Sequence, residues 1–446
     1  MATKPKSPKS LGITAVTVCN YKSICHAQRI DLKPLTVLAG TNSSGKSSIM
    51  QPLLLLKQTL EAPFDPGALL LDGPNVRFTS TEQLFCRVES TCKDTFSVRF
   101  ELDKKNSLEL KFSRNRARGV AIGIEGMLFV ENDKEQWIHP EMSSDDIIKI
   151  LPAHIRTIME KGIPTKNGEV KWEVSRERCF LNFSLRIVGG PRSGIVFGGV
   201  TPASLIGPHM ESIIHVPGLR GNPARTYRTT AVAQSFPGTF ENYCASIINH
   251  WQSKKDDRLK ALGKALEVLG LTWKVEARPV DDTQVEIRVG RLPHSRQGGA
   301  RDLVSIADVG FGVSQTLPVI VALLTAQPGQ IVYLEQPEIH LHPKAQKQMA
   351  KLLAEAAIRG VVVIVETHSS LLLRGIQTLV ANDDLPMSLV KLHWFSRDEK
   401  TGATLVDSSG MDEKGAFGEW PEDFDDVALE AESEYLDAVE RRGVKS

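Results

Sequence analysis

The octapeptide Gly40-Thr41-Asn42-Ser43-Ser44-Gly45-Lys46-Ser47 has residue types and spacing suited to holding phosphate. It follows the apolar run Leu35-Thr36-Val37-Leu38 and leads into Ser48-Ile49-Met50-Gln51, so the GxxxxGK[ST] spacing falls between a strand and a helix. The glycines let the backbone curl until successive N–H groups converge on phosphate oxygens, and the helix N-terminus adds partial positive charge. Asn42, Ser43, Ser44 and Ser48 line the same curl. Lys46 is spaced to reach β- and γ-phosphates, and Ser47 to offer its hydroxyl to Mg²⁺. The pattern predicts a nucleoside triphosphate with Mg²⁺ as the ligand.

Such a loop needs a carboxylate at the end of a neighbouring strand to hold the metal, directly or through water. Ile331-Val332-Tyr333-Leu334-Glu335 supplies four apolar strand residues and then an acid, and Glu335 is expected beside Ser47 at the carboxyl edge of the sheet. A second apolar run, Val361-Val362-Val363-Ile364-Val365, ends in Glu366-Thr367-His368. His368 is expected to meet the γ-phosphate or the attacking water. Gly310, Gly312 and Ser314 open another apolar helix, whose N–H groups form a second candidate phosphate cap.

The elements that must position these groups alternate helix and buried strand from residue 308 to 395, which implies a parallel sheet covered on both faces. Between residues 69 and 197 the pattern changes to short alternating strands at 97–102, 108–113, 120–124 and 183–187, with one helical stretch at 145–160. A helical region at 240–269 and strands at 272–276 and 284–289 follow, then a Gly/Arg linker at 296–301. No heptad repeat persists, which excludes a long coiled-coil arm. With 54 basic and 53 acidic residues no global field recruits nucleic acid or membrane, and any basic surface is local. The apolar stretch 317–326 is too short to span a bilayer, and the start lacks a signal-peptide core. Six cysteines without a CxxC pair point to free thiols in the cytoplasm.

These segments resemble the ABC-type ATPases related to RecF and the SMC proteins, over residues 11–60 and 300–395. Asn20-Tyr21-Lys22-Ser23 resembles the family's N-terminal strand motif and Gly40–Ser47 its Walker A. The run 334–343 resembles its Walker B and D-loop, 308–315 stands in place of its signature, and Glu366-Thr367-His368-Ser369 looks like its switch-histidine loop. A bacterial subgroup found beside phage-defence or toxin–antitoxin genes, including the ATPase subunit of PARIS-type systems, is similar in three further runs. These are Glu335-Gln336-Pro337-Glu338-Ile339-His340-Leu341-His342-Pro343, Pro217-Gly218-Leu219-Arg220 and Trp420-Pro421-Glu422.

The resemblance implies an α/β ABC/SMC-like P-loop ATPase head with a β-rich insertion and a small C-terminal helical cap, using ATP and Mg²⁺. The expected division is a basic tail (1–10), the first part of the head (11–68), a β-rich insertion (69–212), a helix-and-strand insertion (213–300), the second part of the head (301–396) and an acidic cap (397–446). It further implies that the signature of one copy covers the ATP of another, so that the chain is a dimerising switch for an effector from a neighbouring gene. A RecF-like DNA clamp is the alternative.

Gln336 departs from the family, where a glutamate that activates water follows the metal-associated acid. Glutamine cannot accept a proton. Either Glu338 takes the base role, and turnover is slow, or the chain is an ATP-held clamp. Weaker signals also have two readings. Glu338, His340 and His342 are either structural or a transition-metal set. Arg114, Arg116 and Arg118, and the series Lys254, Lys255, Arg258, Lys260 and Lys264, are either solvated or nucleic-acid contacts. Arg220, Arg225 and Arg228 cluster in a constrained loop and could act on nucleotide or partner.

Overall fold

An apolar strand of a parallel sheet sends alternate side chains to opposite faces, so each face needs its own cover. The computed structural model supplies both covers. It describes residues 12–88, 93–114, 122–151, 169–188, 194–197, 203–294, 302–418 and 433–436. Strands β1 (Ala15–Cys19), β2 (Gln28–Asp31) and β3 (Leu35–Gly40) lead into helix α1 (Lys46–Glu61). Then come β4 (Thr95–Glu101), β5 (Ser107–Arg114), β6 (Ile122–Glu131), β7 (Lys134–Ile138), α2 (Ser144–Ile150), β8 (Glu169–Glu177), β9 (Phe180–Val188), β10 (Gly194–Phe197) and α3 (Ala203–Glu211). The chain continues with β11 (Ile214–Val216), β12 (Tyr227–Arg228), α4 (Cys244–Lys254), α5 (Asp257–Val268), β13 (Val275–Pro279), β14 (Gln284–Val289) and β15 (Val304–Ser305). Last come α6 (Phe311–Thr325), β16 (Ile331–Glu335), α7 (Pro343–Ile358), β17 (Val362–Glu366), α8 (Ser370–Ala381), β18 (Val390–Arg397) and β19 (Thr404–Ser409).

The central sheet has the order β11-β16-β17-β3-β18-β19, parallel except for β19. Val363 and Val365 of β17 join the core formed with α6, α7 and α8, whereas Val362 and Ile364 join the core on the α1 side. That second core is closed by an antiparallel sheet ordered β2-β1-β4-β5-β6-β7, so the strands after residue 94 extend a sheet begun by β1 and β2. Smaller sheets, β10-β9-β8 and β12-β14-β13 with β15 on β14, complete the set.

Helix α1 is anchored at its far end. Lys57 is fully buried, pairs with Glu61, and donates to the Phe236 carbonyl at 3.2 Å, while Glu61 accepts from the Gly238 N–H at 3.0 Å. Gln58 holds the loop at 70–76 with both ends of its amide.

Two expectations change. Cys19, Cys179 and Cys244 are free, but Cys25 and Cys86 are disulfide-bonded. Bridges between Tyr21 and Phe85 and a bond from the Cys86 N–H to the Asn20 carbonyl (3.0 Å) bring their Cα atoms to 5.6 Å. The helix expected at 145–160 begins as α2, and its remainder lies outside the described residues. So do the tail 1–10, Arg116, Arg118, the linker 296–301 and the Trp420-Pro421-Glu422 run. Within the acidic stretch near the C-terminus, Tyr435 is described and is 67% exposed.

Candidate nucleotide site

The phosphate loop joins β3 to α1 at the carboxyl edge of the central sheet. Gly40 (φ 142°) and Gly45 (φ 103°) hold left-handed backbone. A Cβ on Gly40 would collide with the Phe395 carbonyl, and one on Gly45 with the Thr404 side chain. Gly45 caps α1 without a side chain, which leaves the first-turn N–H groups to an outside acceptor. Buried Lys46 extends its Nζ over the loop carbonyls of Gly40 (3.0 Å) and Thr41 (2.7 Å). Burial lowers its pKa, and the charge of Glu366 opposes that shift.

Above the loop lies a cavity of 590 Å³ over residues 42–48, rimmed by Lys22, Gln336, Glu366, His368 and Arg397. Three cations, Lys22, Lys46 and Arg397, therefore face one volume that suits a polyanion. The Arg397 Nε donates to the Ser43 carbonyl at 2.7 Å. The Thr404 hydroxyl donates to the Ser44 carbonyl at 2.9 Å and sits 2.8 Å from the Ser23 hydroxyl, so β19 and the N-terminal motif both brace the loop.

The two strand-end acids separate. Ser47 Oγ donates to Glu366 Oε1 at 2.9 Å, and the Tyr333 hydroxyl donates to Glu366 Oε2 at 2.9 Å. Burial, then the charge of Glu335, raises the Glu366 pKa. Glu335 was expected beside Ser47, but it turns the other way. His215 Nε2 lies 3.1 Å from its Oε1 and the Gly218 N–H donates to its Oε2 at 3.0 Å. Burial pushes the Glu335 carboxyl up, but these partners outweigh it and leave its pKa lowered.

Glu338, expected as the base, does not open onto the cavity either. It is buried beneath the switch loop, and its Oε1 accepts from the Thr367 hydroxyl (2.6 Å) and the His368 N–H (3.0 Å). Its Oε2 is buried without a hydrogen bond among the described residues. Burial raises its pKa. The residue that does face the cavity there is Gln336, whose N–H bonds the Glu366 carbonyl at 2.8 Å. His368 rims the cavity; burial first and Lys46 second lower its pKa, which favours the neutral ring.

Gly310, Gly312 and Ser314 begin α6 away from this cavity, with Phe311 half exposed and its ring tilted against that of His340, centroids 5.6 Å apart. The alternative transition-metal set comes apart. Glu338 points inward, His340 meets Phe311, and His342 caps α7 by accepting from the Lys344 N–H at 3.4 Å. Among the described residues no group of three or more metal-type side chains converges. Three of the arginines that had two readings are paired with carboxylates: Arg114 with Glu82, Arg225 with Asp308 and Arg258 with Asp256. Lys22, Ser23, Glu366, Arg397 and Thr404 were not among the expected site residues. Lys22, Ser23 and Glu366 lay in motifs already visible, whereas Arg397 and Thr404 carried no motif.

ATP fits this donor set: an open first turn, a buried lysine and a cation-rimmed cavity. Mg²⁺ fits the Ser47–Glu366 oxygens, since it takes one or two protein oxygens and completes its shell with phosphate and water. The family model described as "AAA ATPase domain" matches residues 12–168. A second, described as "AAA domain, putative AbiEii toxin, Type IV TA system", matches residues 254–374. No curated protein matches the chain. Three solved SMC head structures overlay loosely, each at 12% identity. The SmcHead bound to the C-winged helix domain of ScpA gives a TM-score of 0.47 and covers 90% of this chain and 98% of that one. The SMC head domain from Thermotoga maritima gives 0.38, covering 89% and 98%. An Smc head with an extended coiled coil bound to the C-terminal domain of ScpA, from Pyrococcus furiosus, gives 0.43, covering 96% and 99%. The protein is an ATPase with an α/β P-loop head.

Proposed function

We propose that this ATPase is a slow, ATP-held switch. The observation that carries the reading is Gln336 on the wall of the nucleotide cavity, at the place where a proton acceptor would speed hydrolysis. Lys22, Lys46 and Arg397 bind and orient the triphosphate, and the loop N–H groups direct it. Ser47 and Glu366 hold Mg²⁺, which when bound screens the charge shared by the β- and γ-phosphates. Neutral His368 positions the water or the terminal phosphate. With no base in contact with that water, turnover falls by about 10²–10⁴ relative to a site that has one.

The exposed start of α6 supports a head-to-head dimer in which Gly310, Gly312 and Ser314 of one copy cover the phosphates held by Gly45, Lys46 and Ser47 of the other. In that arrangement ATP sets assembly, and assembly controls a separate effector. The toxin–antitoxin description of the family matched at residues 254–374 supports a defence or toxin–antitoxin setting, and dependence on ATP supports a cytoplasmic one. No helix of the described residues is long and apolar enough to cross a membrane. A DNA clamp has less support, since several candidate phosphate-contacting arginines are engaged by carboxylates.

Mass measurement with and without ATP tests the switch. ATP shifts the wild type to a dimer, whereas Lys46→Ala and Ser314→Arg stay monomeric, and only Ser314→Arg still binds ATP. Gln336→Glu speeds phosphate release. A monomer at saturating ATP, or unchanged release by Gln336→Glu, defeats the proposal.

A further inference from the structure

The turn that carries Lys22 and Ser23 to the nucleotide cavity is held from two sides. On one side the Lys22 N–H donates to the Leu84 carbonyl at 2.9 Å and the Cys86 N–H to the Asn20 carbonyl at 3.0 Å, and the Cys25–Cys86 bond closes beside them. On the other side the Thr404 N–H donates to the Ser23 carbonyl at 2.8 Å, and the Thr404 hydroxyl meets both Ser23 and the phosphate loop.

The turn itself is tight. Tyr21 and Ile24 exchange backbone hydrogen bonds at 3.0 and 2.8 Å across Lys22 and Ser23. Asn20 stands at φ 58° and Lys22 at φ 51°. Asparagine tolerates this left-handed backbone, but lysine adopts it rarely and keeps it where neighbours impose it. The aim of the Lys22 side chain, which passes over the Phe78 ring at 4.8 Å and rims the phosphate cavity, therefore depends on what clamps the turn.

The covalent part of that clamp is thinly covered. Cys25 and Cys86 pack with Ala403 and half-buried Val88 in a cluster separate from the two main cores. Their neighbours His26, Ala27 and Arg87 are exposed. A satellite cluster of this size opens at far less cost than a core strand, so a small thiol gains access by local opening.

We propose that Cys25–Cys86 is a thiol-reducible latch on the nucleotide site. Oxidised, it presents Lys22 and Ser23 to the triphosphate; reduced, it frees the turn and weakens ATP binding. The proposal rests on the reading of Lys22 as a phosphate contact. A disulfide in the reducing cytoplasm is usually transient or redox-sensing rather than permanent, which suits a latch. In the reaction a thiolate of a small-molecule thiol attacks one cysteine sulfur, the S–S bond breaks, and the other cysteine leaves as a thiolate and takes a proton. A second thiol resolves the mixed disulfide, so the protein gains two electrons and two protons while two thiols become one disulfide.

Calorimetry of the full chain with a non-hydrolysable ATP analogue and Mg²⁺ tests the latch, with iodoacetamide adducts counted by mass to fix the redox state. Dithiothreitol adds two adducts and weakens the analogue about tenfold, the loss of one charge-assisted contact. Cys25→Ser/Cys86→Ser binds like the reduced chain and ignores dithiothreitol. Lys22→Ala is weak in both states, which ties the effect to the lysine. Saturating analogue makes the bond harder to reduce by the same factor, a response that a merely structural disulfide lacks. Thermal melts confirm that the variants fold, and the wild-type comparison with and without dithiothreitol stands without them. Equal affinities in the two redox states, a bond that dithiothreitol does not open, or an undiminished effect of dithiothreitol in Lys22→Ala overturns the latch. No uptake of the analogue by the oxidised chain is instead a failure of the nucleotide reading on which the latch rests.

Discussion

Replacing Glu338 by glutamine separates a positioning acid from a catalytic one. If the carboxylate took the proton from water, Glu338→Gln would lower turnover by about 10²–10⁴, or about 3–5 kcal/mol of barrier. The structure argues for a small change. Glu338 Oε1 accepts from the Thr367 hydroxyl and the His368 N–H, and a glutamine carbonyl can accept both. Burial already disfavours the charge that is removed. Turnover should therefore stay within about threefold, or less than about 1 kcal/mol. Glu338→Ala differs, because it orphans two buried donors at about 1–3 kcal/mol each, a total of about 2–6 kcal/mol. Unfolding entropy of about 2.1 cal/mol/K per residue over 446 residues is about 0.9 kcal/mol/K, so Tm falls by about 2–6 °C. Phosphate-release assays at saturating ATP and thermal melts read the two effects separately. A hundredfold loss in Glu338→Gln, with Tm and ATP affinity unchanged, would refute the positioning role and restore the base.

Three further outcomes concern the frame around the site. His393 is fully buried, its Nε2 facing the Asp31 carbonyl at 2.9 Å and its Nδ1 the Ser408 hydroxyl at 2.7 Å, and burial lowers its pKa to about 4. An unfolded histidine titrates near about 6.5, so the unfolded chain takes up this proton first. Stability is complete above that pH and declines by about 3 kcal/mol as pH falls toward 4; urea melts across the window should show a limb that His393→Gln lacks. Lys57→Met leaves buried Glu61 without its cation and should cost about 3–5 kcal/mol, while Lys57→Met with Glu61→Gln recovers most of it; a double variant no more stable than the single would exclude the pair as the cause. The Cys25–Cys86 bond closes a loop with sequence separation 61, worth about 4 kcal/mol by chain entropy. Reductant should lower Tm of the wild type but not of Cys25→Ser/Cys86→Ser, and equal melts would show the bond to be absent in solution.

Residues with strong local grammar were legible in the sequence. The phosphate loop announces itself because its glycines, lysine and serine must stand at set spacings between a strand and a helix, and β3 and α1 do flank it. The strands β16 and β17 were legible because both faces are covered and the runs are continuously apolar. The frame contributed by β19 was not. Thr404–Ser409 is an edge strand with mixed exposure and no apolar signal, yet its Thr404 braces the phosphate loop from 360 residues away. The disulfide was hidden for a similar reason: Cys25 and Cys86 meet only because the turn at Tyr21–Ile24 pairs with Phe85.

The choice between Glu335 and Glu366 lies one level higher, in the order of strands. Both acids end apolar runs, and both sit at the same height, paired across the ladder. Sequence reasoning preferred Glu335 because it ends an apolar strand within the run that resembles Walker B. In the folded sheet β17 lies between β16 and β3, so the terminal acid of β17 is the one a single strand spacing of about 4.8 Å from the phosphate-loop strand. The Tyr333 hydroxyl fixes Glu366 toward Ser47. His215, on β11 at the far side of β16 and 120 residues earlier in the chain, draws Glu335 the opposite way. Two carboxyls at one edge thereby acquire opposite shifts, Glu366 up and Glu335 down, because burial outweighs partners for one and partners outweigh burial for the other. A motif gives the kind of residue a metal needs; the sheet's neighbour relations decide which of two equivalent acids stands beside Ser47.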